Sequence, residues 1–408
     1  MNNILNENYR NANIFFDRAT KDLMYSKGKK YIDLSYASGT SILGHGSNIQ
    51  RKIFKDFIKK NLSLFSGPNK YAIELTVTLK KFIPDYYNKF IFCNSGTEAI
   101  NKTLRIARAI SKKKLIVNVA GSWHGSVDQL LYKADKKLRV KKISDGLNKE
   151  DEKNIVFIPY NNIKKTNQIL NKIKKKISCI LVEPIQGSLP NEYSYKYLKF
   201  LSDFAKKNKI LLIFDEMITG IRANCKTIQD IYNLKPDIST FGKIFGGGMP
   251  IGFITISNNI YSKLIKKKIK IHFGGTFSAN PFSMYAANQT LIFIYKNKKK
   301  IFTKIENFSE RFQKEINSFC LKNNIDIKVS RFQSMMRIIF SDKHIQNRTQ
   351  RDQLEKSKNK KITLFKKYLE KNNIFYPNNG IIFFSYQSSK KNFDYVLKIV
   401  KNGIKKYF

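Results

Sequence analysis

The sequence predicts an α/β fold built on a mostly parallel sheet with helices on both faces. Short apolar runs rich in β-branched residues alternate with longer stretches whose apolar residues recur at helical spacing. A strand buried on both faces has no polar side, so continuous apolar strands between helices are typical of such sheets. The 408 residues suffice for one large domain with a smaller companion, or for two domains.

Five apolar runs are the predicted strands of this sheet. In chain order they are "FIFC" (90–93), "LIVNV" (115–119), "IVFIP" (155–159), "CILVEP" (179–184) and "ILLIFDE" (210–216). Helical patterns separate several of them, most clearly "YLKFLSDFAKKNKI" (197–210). Ligands of such sheets bind outside the carboxyl ends of the strands, so the residues that follow each run are the site candidates.

A candidate anion site follows the first strand. Ser95, Gly96 and Thr97 open a helical pattern there. The free N–H groups and the dipole of a helix N-terminus favour a phosphate. Ordinary capping of the helix by a hydroxyl side chain explains the same residues, so this motif alone leaves both interpretations open.

An aromatic residue and two carboxylates follow the later strands. Trp123 is the only tryptophan of the chain and lies between glycines after the second strand. It is either a core residue or a flat surface on which a planar ligand stacks. Glu183 lies at the end of the fourth strand, and Asp215 lies at the end of the fifth. A buried carboxylate needs a cation or hydrogen-bond donors, so we expect such partners around Asp215.

A lysine among glycines completes the set, in "ISTFGKIFGGGMPIGF" (238–253). A phosphate-binding P-loop is excluded by spacing, because Asp237 occupies the position of the early glycine and Ile244 follows Lys243 where that motif needs Ser or Thr. Two interpretations remain. Lys243 is either a solvated residue of a glycine-rich turn or a lysine in a crowded pocket, where glycines let a flat cofactor approach the backbone.

Pyridoxal 5′-phosphate needs all of these groups at one edge of one sheet. It has a phosphate, a flat ring, a ring nitrogen that must stay protonated, and an aldehyde that forms an imine with lysine. The predicted strand order brings the anion site, the aromatic residue, the carboxylate and the lysine to the same edge. The sequence therefore favours this cofactor.

The motifs of the chain resemble those of the class III aminotransferases, a family of fold-type I pyridoxal-phosphate enzymes, and most closely its glutamate-1-semialdehyde aminomutase branch. The likeness runs from about residue 14 to the C-terminus. The matching motifs are, in the family's order, "FFDRATKDLMYSKGKKYIDL", "SILGH", "FCNSGTEAI", "GSWHGSVD", "VEPIQG", "FDEMITGIR", "FGKIFGGGMPIGF" and "GGTFSANPFSMYAA". The resemblance implies a large cofactor domain (46–289) and a small α+β domain formed by residues 1–45 and 290–408.

The resemblance also implies roles for individual residues. Lys243 would be the lysine that forms the imine and then moves a proton between substrate and cofactor. Asp215 would pair with the ring nitrogen. Ser95, Gly96 and Thr97 would hold the phosphate.

Further roles concern the two ring faces and the neighbouring subunit. Trp123 replaces the usual Tyr or Phe that stacks on the ring, with His124 beside it, and Met217 replaces the common valine on the opposite face. Glu183 matches a glutamate near the cofactor. Thr276 matches a residue that reaches the phosphate from a second subunit, which implies a homodimer with shared sites.

The substrate-facing positions depart from the aminomutase pattern. The substrate-binding arginine of that branch has only Arg10 as a poorly aligned substitute, its Trp is lost in Ala37-Ser38-Gly39-Thr40, and its C-terminal Glu is lost in "PNNGIIFFSYQSS". We therefore expect an aminotransferase that moves an amino group from a donor, expected to be glutamate, to an oxo acceptor. Small hydroxyls (Ser35, Ser38, Thr40, Ser41) suit a sugar or another polar carbonyl compound. The alternative is glutamate-1-semialdehyde 2,1-aminomutase.

The composition bears on partners and compartment. The net charge of +46 is typical of nucleic-acid binders, but the lysines are spread along the whole chain without a binding motif, so we favour compositional drift and expect neither nucleic acid nor membrane as a partner. Four scattered cysteines predict a reduced, cytoplasmic protein without a metal site. The lysine-rich stretch 343–361 predicts a solvated helix or loop.

Overall fold

The computed structural model describes residues 4, 6, 9, 14–65, 67–192 and 194–408, so Arg10 lies outside the described residues. The strands are β1 (Arg18–Thr20), β2 (Leu23–Ser26), β3 (Lys29–Asp33), β4 (Tyr87–Cys93), β5 (Leu115–Val119), β6 (Tyr132–Ala134), β7 (Val140–Lys142), β8 (Ile155–Ile158), β9 (Ile177–Val182), β10 (Leu211–Asp215), β11 (Ile238–Gly242), β12 (Gly252–Ser257), β13 (Lys328–Phe332), β14 (Met335–Ile339) and β15 (Ile374–Phe375). All five predicted runs form strands of this set.

The helices alternate with these strands through the first two thirds of the chain. They are α1 (Asn48–Lys59), α2 (Lys70–Leu79), α3 (Gly96–Ser111), α4 (Lys149–Lys153), α5 (Ile163–Ile173), α6 (Tyr195–Asn208), α7 (Ile228–Ile231), α8 (Asn258–Lys266), α9 (Pro281–Lys296), α10 (Lys298–Lys322), α11 (Arg348–Lys356), α12 (Asn359–Lys371) and α13 (Lys390–Tyr407). Most begin with a polar cap, for example Ser95 at α3 and Asn280 with Pro281 at α9, as N-terminal preferences predict.

The central sheet has the strand order β4-β12-β11-β10-β9-β5-β8. The pairs from β11 through β8 are parallel, whereas β12 is antiparallel to both of its neighbours. Strands β9, β10 and β11 are buried along their whole length. The predicted α/β fold with a mostly parallel sheet is therefore confirmed.

Separate apolar layers cover the two faces of this sheet. Helix α3 packs on one face through Ala99, Ile100 and Leu104, against strand residues such as Ile213. Helix α6 packs on the other through Leu198 and its neighbours, against Phe214 and Leu212. Alternate residues of one strand thus serve opposite layers, which explains why the strand sequences are apolar throughout.

A second sheet joins the two ends of the chain. Its order is β1-β2-β3-β15, with β15 parallel to β3. Ile32 and Leu34 from the N-terminal part pack with C-terminal residues such as Phe312, Phe365 and Val400. The division of the chain at residues 45 and 289 stays a prediction.

The lysine-rich stretch 343–361 is more ordered than its composition predicts. It contains helix α11 and the start of α12. On α11, Arg351 and Glu355 are buried, with only 4% and 8% of their surfaces exposed. Polar residues on the inner face of α11 therefore have partners that the apolar periodicity did not reveal.

Two further findings concern the whole of the described chain. None of its helices has the length and apolar character needed to cross a membrane. The four cysteines (Cys93, Cys179, Cys225, Cys320) are all buried, and none of them forms a disulfide.

Candidate active site

The carboxyl ends of five strands meet at one edge of the central sheet. Strands β4, β5, β9, β10 and β11 run in the same direction, because β12 is antiparallel to both β4 and β11. The segments that leave these ends contain the predicted site residues Ser95, Trp123, Glu183, Asp215 and Lys243. The topology therefore brings the separate motifs to one place.

Asp215, the last residue of β10, has a full set of hydrogen-bond partners. One carboxylate oxygen, Oδ2, lies 2.7 Å from Nδ1 of His124. The other accepts from the Met217 amide at 3.0 Å and from the Thr240 hydroxyl at 3.2 Å. The partners expected around a buried carboxylate are thus present and keep Asp215 in a fixed orientation.

His124 is held on both sides. Its Nε2 lies 3.2 Å from Oδ1 of Asn118 on strand β5, and its side chain has no exposed surface. A histidine fixed at both ring nitrogens cannot rotate away from the carboxylate that it contacts. His124 therefore fixes the orientation of the Asp215 carboxylate.

Glu183 links two of the loops at this edge. Its carboxylate accepts from the amide of Trp123 at 2.6 Å and from the amide of Gly187 at 3.2 Å. Burial raises the pKa of Glu183 above its usual range, although His124 and the two amide donors act in the opposite direction. Glu183 therefore holds the Trp123 loop in place.

Lys243 begins a short 3₁₀ turn directly after β11, with a left-handed backbone angle (φ 49°). Burial lowers the pKa of its amine to about 8, while Asp215 and Glu183 raise that pKa and Arg222 lowers it further. An ordinary lysine has a pKa near 10.4 and is almost fully protonated at neutral pH. A fraction of Lys243 is thus available as a neutral nucleophile near pH 8. The burial of the amine, which is the main cause of the lowered pKa, does not fit a solvated surface lysine.

The start of helix α3 adjoins the Trp123 loop. The Ser95 hydroxyl caps the helix by accepting from the Glu98 amide at 3.1 Å, and Thr97 Oγ1 accepts from the Ser126 amide at 3.1 Å. A Cβ added to Gly125 would lie 2.4 Å from Thr97 Oγ1. The two segments are therefore in direct contact, and the N–H groups of the first helical turn have no acceptor within the helix itself.

Met217 lies between the start of α3 and the residue before Lys243. A Cβ on Gly96 would lie 2.8 Å from the Met217 Cε, and one on Gly242 would lie 2.5 Å from its Sδ. At Gly242 the added Cβ would also lie 2.8 Å from the Ile251 carbonyl oxygen, so glycine is required there, whereas at Gly96 only the flexible thioether would have to move. The Met217 side chain forms an apolar surface between the helix start and Lys243.

These residues fit pyridoxal phosphate. Trp123 is 54% exposed, as a residue whose ring stacks on a ligand requires. Asp215 is a buried carboxylate near the lysine amine, and the first turn of α3 supplies phosphate donors. Every group that the cofactor needs is present at this edge of the sheet.

Thr276 is exposed on the loop between α8 and α9. The loop packs on α3 of the same chain, because Arg105 donates to the His272 carbonyl at 2.7 Å and Gly275 adjoins Glu98. Its relation to a second subunit stays a prediction.

The predicted substrate side is formed by an unusual turn. Tyr36, Ala37, Ser38 and Gly39 have consecutive left-handed backbone angles, with φ from 45° to 83°. The Asp33 carboxylate accepts from the backbone N–H of residues 35 and 36 and so fixes the start of the turn. Such angles are costly for residues with a Cβ and persist only where surrounding contacts impose them.

Arg222 imposes part of that geometry. Its Nη2 donates to the Gly39 carbonyl at 2.5 Å and its Nε donates to the Ile218 carbonyl at 3.1 Å. The guanidinium also lies 4.5 Å from the centre of the Phe383 ring. Burial lowers the pKa of Arg222 to about 9. Arg222 thus connects the turn to the loop that follows Asp215.

Comparison with known proteins identifies the family. A model of the aminotransferase class-III family matches residues 4–364. The chain belongs to the class III aminotransferases. It is a pyridoxal-phosphate enzyme of fold type I, as the sequence motifs predicted.

Relatives and solved structures agree with this family. A glutamate-1-semialdehyde 2,1-aminomutase of Methanocaldococcus jannaschii is 34% identical over 352 residues, covering 82% of this chain and 78% of the relative. One of Thermoplasma volcanium is 33% identical over 359 residues, covering 86% and 82%. The structure of an omega-transaminase from Sphaerobacter thermophilus has a TM-score of 0.88 at 20% identity, covering 96% of this chain and 91% of that one.

Several residues of this site carry no obvious sequence signal. Asn118 and Thr240 lie inside apolar strands, where a single polar residue does not change the strand prediction and indicates no role. Arg222 ends the family motif "FDEMITGIR", but nothing in that motif indicates its role, and it has no carboxylate partner within the described part of the chain. Each acts through contacts between distant segments, which a local pattern does not report.

Proposed function

We propose that this enzyme transfers an amino group from glutamate to an oxo group of a polar acceptor. The observation that supports it most directly is the state of Lys243. Its amine is buried, its pKa is lowered, and the amine interacts electrostatically with Asp215 on the adjoining strand β10. Family membership supports transamination or amino-group migration as the reaction type. The donor and the acceptor are our proposal.

Asp215 and His124 would act on the cofactor's ring nitrogen. The Asp215 carboxylate would accept a hydrogen bond from the protonated ring nitrogen and so keep it protonated, and the contact with His124 fixes the direction of that carboxylate. Trp123 would cover one face of the ring and Met217 the other, while Glu183 holds the Trp123 loop. Ser95, Gly96 and Thr97 would bind the phosphate through the first turn of α3.

Lys243 would bind the cofactor and then move the proton. When bound, pyridoxal phosphate supplies an aldehyde that attaches amines covalently and a protonated ring that withdraws electrons. The Lys243 amine, released when the substrate amine takes its place, would remove a proton from the substrate carbon and return it at the cofactor. A pKa near the working pH suits an amine for both directions of this transfer.

A second copy of the chain would complete the site. Thr276 is exposed beside Phe277, a large apolar residue that is 52% exposed. A homodimer would cover that apolar surface and bring Thr276 to the partner's phosphate. The dimer and this role of Thr276 rest on the family pattern.

The left-handed turn supports a polar acceptor rather than the aminomutase substrate. It presents Ser35 and Ser38 where the aminomutases have a tryptophan-containing segment. Ile381, which would meet a Cβ on Gly187 beside Glu183, lies in the segment where those enzymes have a glutamate. Small hydroxyls suit hydrogen bonding to a sugar or a similar carbonyl compound, while the names of the relatives favour the aminomutase as the second candidate.

Half-reaction spectroscopy tests the proposal. Glutamate added to the cofactor-loaded enzyme should change the cofactor's absorbance and release 2-oxoglutarate in a single turnover. Lys243→Ala should abolish the change, whereas Lys263→Ala on helix α8 should not. A spectrum that no common amino acid alters would refute the transaminase assignment.

A second assay separates the two candidates. An aminomutase would convert glutamate-1-semialdehyde to 5-aminolevulinate without any added oxo acid. We expect no such conversion by the purified enzyme, and no rescue of a bacterial strain that lacks this step. Rescue by the wild-type chain but not by Lys243→Ala would establish the aminomutase instead.

A further inference from the structure

Three arginines from the C-terminal part of the chain meet beside the active site. Arg337 lies on β14, and Arg348 and Arg351 lie on α11. Arg337 and Arg351 interact electrostatically, as do Arg337 and Arg348. We refer to these three residues as the arginine cluster.

Each member of the arginine cluster contacts a loop of the active site. Arg351 donates to the Ser188 carbonyl, next to Gly187, whose amide binds Glu183. Arg337 donates to the Asn379 carbonyl, two residues before Ile381. The cluster therefore lies one loop away from Glu183.

Arg348 adjoins the Trp123 loop directly. A Cβ placed on Gly121 would lie 2.8 Å from the Arg348 Cβ and 3.5 Å from its Cδ. Gly121 precedes Trp123 by only two residues. With 42% of its side chain exposed, Arg348 can reach a ligand that extends from the site.

The positive charge of the cluster is only partly balanced. Arg348 pairs with Asp352 at 3.3 Å, and Arg351 pairs with Asp352 and with Glu355. Burial and then the neighbouring Arg351 lower the pKa of Arg337 to about 10. The buried Nε of Arg337 has no hydrogen-bond partner within the described part of the chain. A group of this kind is stabilised by an additional anion.

Compositional drift does not explain the cluster. The chain has 76 basic residues, of which only 12 are arginine. Compositional drift in this sequence has enriched lysine rather than arginine, yet three of the 12 arginines lie close together in this cluster. Arginine differs from lysine in presenting a planar set of donors that binds phosphate oxygens in pairs.

We propose that Arg337 and Arg348, beside the buried and internally paired Arg351, bind a phosphate group carried by the oxo acceptor. The inference deepens the proposed function: the acceptor is a phosphorylated or nucleotide-linked polar carbonyl compound, with its oxo group at Lys243 and its phosphate at the cluster. Glutamate, which has no phosphate, does not need the cluster.

Calorimetric titration with inorganic pyrophosphate tests the cluster. The experiment uses cofactor-loaded enzyme at constant ionic strength, so that the phosphate site on α3 is already filled. We expect saturable binding that weakens at least tenfold in Arg348→Gln and in Arg337→Gln. Arg311→Gln is the matched control, because Arg311 is an exposed arginine with its own carboxylate four residues later, as Arg348 is. It should bind pyrophosphate as the wild type does.

Two results would overturn the assignment. One is pyrophosphate binding that is absent, or equal in Arg348→Gln and the control. The other is binding through Arg348 that changes the limiting rate constant of the glutamate half reaction, since the cluster would then be an effector site for a free anion. A failed glutamate half reaction with intact pyrophosphate binding would reject the proposed function while leaving the anion site standing.

Discussion

Lys243 combines three environments that together set its reactivity. Burial disfavours the charged amine, the carboxylates of Asp215 and Glu183 favour it, and Arg222 disfavours it again. The result is a pKa of about 8 rather than the usual value above 10. A lysine of this kind forms imines near neutral pH because its neutral fraction is no longer negligible.

The rate of cofactor attachment should therefore follow the titration of Lys243. Its pKa is lowered in the folded chain, so the amine is protonated and unreactive well below pH 8 and becomes neutral as the pH rises through that value. We expect the rate constant for attachment of pyridoxal phosphate to the cofactor-free enzyme, trapped with borohydride, to rise with a midpoint near pH 8. Asp215→Asn should move the midpoint to lower pH, because it removes a charge that favours the protonated amine. A rate that is flat between pH 7 and 9 would contradict this account.

Gly125 tests the contact between the Trp123 loop and α3. Gly125→Ala combines a left-handed backbone (φ 77°) with a Cβ only 2.4 Å from Thr97 Oγ1. We expect at least tenfold weaker binding of pyridoxal phosphate, measured by equilibrium titration, because the loop must move away from the phosphate site.

The control for Gly125 is Gly146→Ala. Gly146 has the same φ of 77° but no atom within 4 Å of an added Cβ. Its substitution should cost about 1 kcal/mol of unfolding free energy from backbone strain alone. Equal losses of cofactor affinity in both variants would show that strain, and not the contact with Thr97, is responsible.

At the scale of elements, the strands of the central sheet were predictable and the substrate side was not. Runs such as "CILV" (179–182) are apolar on both faces, so a single local pattern reports their burial. The turn 36–39 has no such pattern, because its left-handed angles are imposed by Asp33 and Arg222 from outside. The burial of helix α11 was not predicted for a related reason. Its Arg351 is buried because it donates to the Ser188 carbonyl of a loop that is distant in sequence.

Arg222 should act on substrate binding more than on cofactor binding. Arg222→Met keeps the length of the side chain but releases the Gly39 carbonyl and thereby the turn. We expect the KM of the substrates to rise at least tenfold with little change in pyridoxal-phosphate affinity. The unfolding free energy should change by less than about 2 kcal/mol, because relief of a buried charge offsets the lost hydrogen bonds.

A second readout distinguishes this role from a structural one. Arg222 lowers the pKa of Lys243, so its removal should move the midpoint of cofactor attachment to higher pH, opposite to Asp215→Asn. Arg222→Lys retains the charge and should restore the midpoint but not the KM. An unchanged midpoint in Arg222→Met would show that the guanidinium does not affect the pKa of Lys243.

At the scale of the whole molecule, the charge of +46 acts on anions in general rather than on one partner. Exposed charges are screened over about 8 Å at physiological ionic strength. Any binding of DNA or RNA should therefore be independent of sequence and vanish between low and moderate salt, with no difference between the wild type and Lys243→Ala. Filter binding across a salt series checks this expectation, and salt-resistant binding would show that the charge is functional.

The exposed apolar surface predicts how two copies associate. A groove of about 540 Å³ is lined by Phe54, Leu64 and Phe277 among others, and Thr276 lies next to it. Apolar patches of this kind mark sites of protein association. We expect a molar mass of twice the 47.5 kDa chain in light scattering, and mostly monomer for Phe277→Asp.

Leu321→Asp is the control for Phe277→Asp, because it also adds a negative charge at an exposed apolar residue but lies outside the groove. Leu321 is 80% exposed on α10, far along the chain from the groove, and its substitution should leave the dimer intact. If Thr276 reaches the phosphate of a partner, monomeric Phe277→Asp should also lose pyridoxal phosphate readily, whereas Leu321→Asp retains it. A monomeric Phe277→Asp that binds the cofactor as tightly as the wild type would show that each chain holds its phosphate alone, through the first turn of α3.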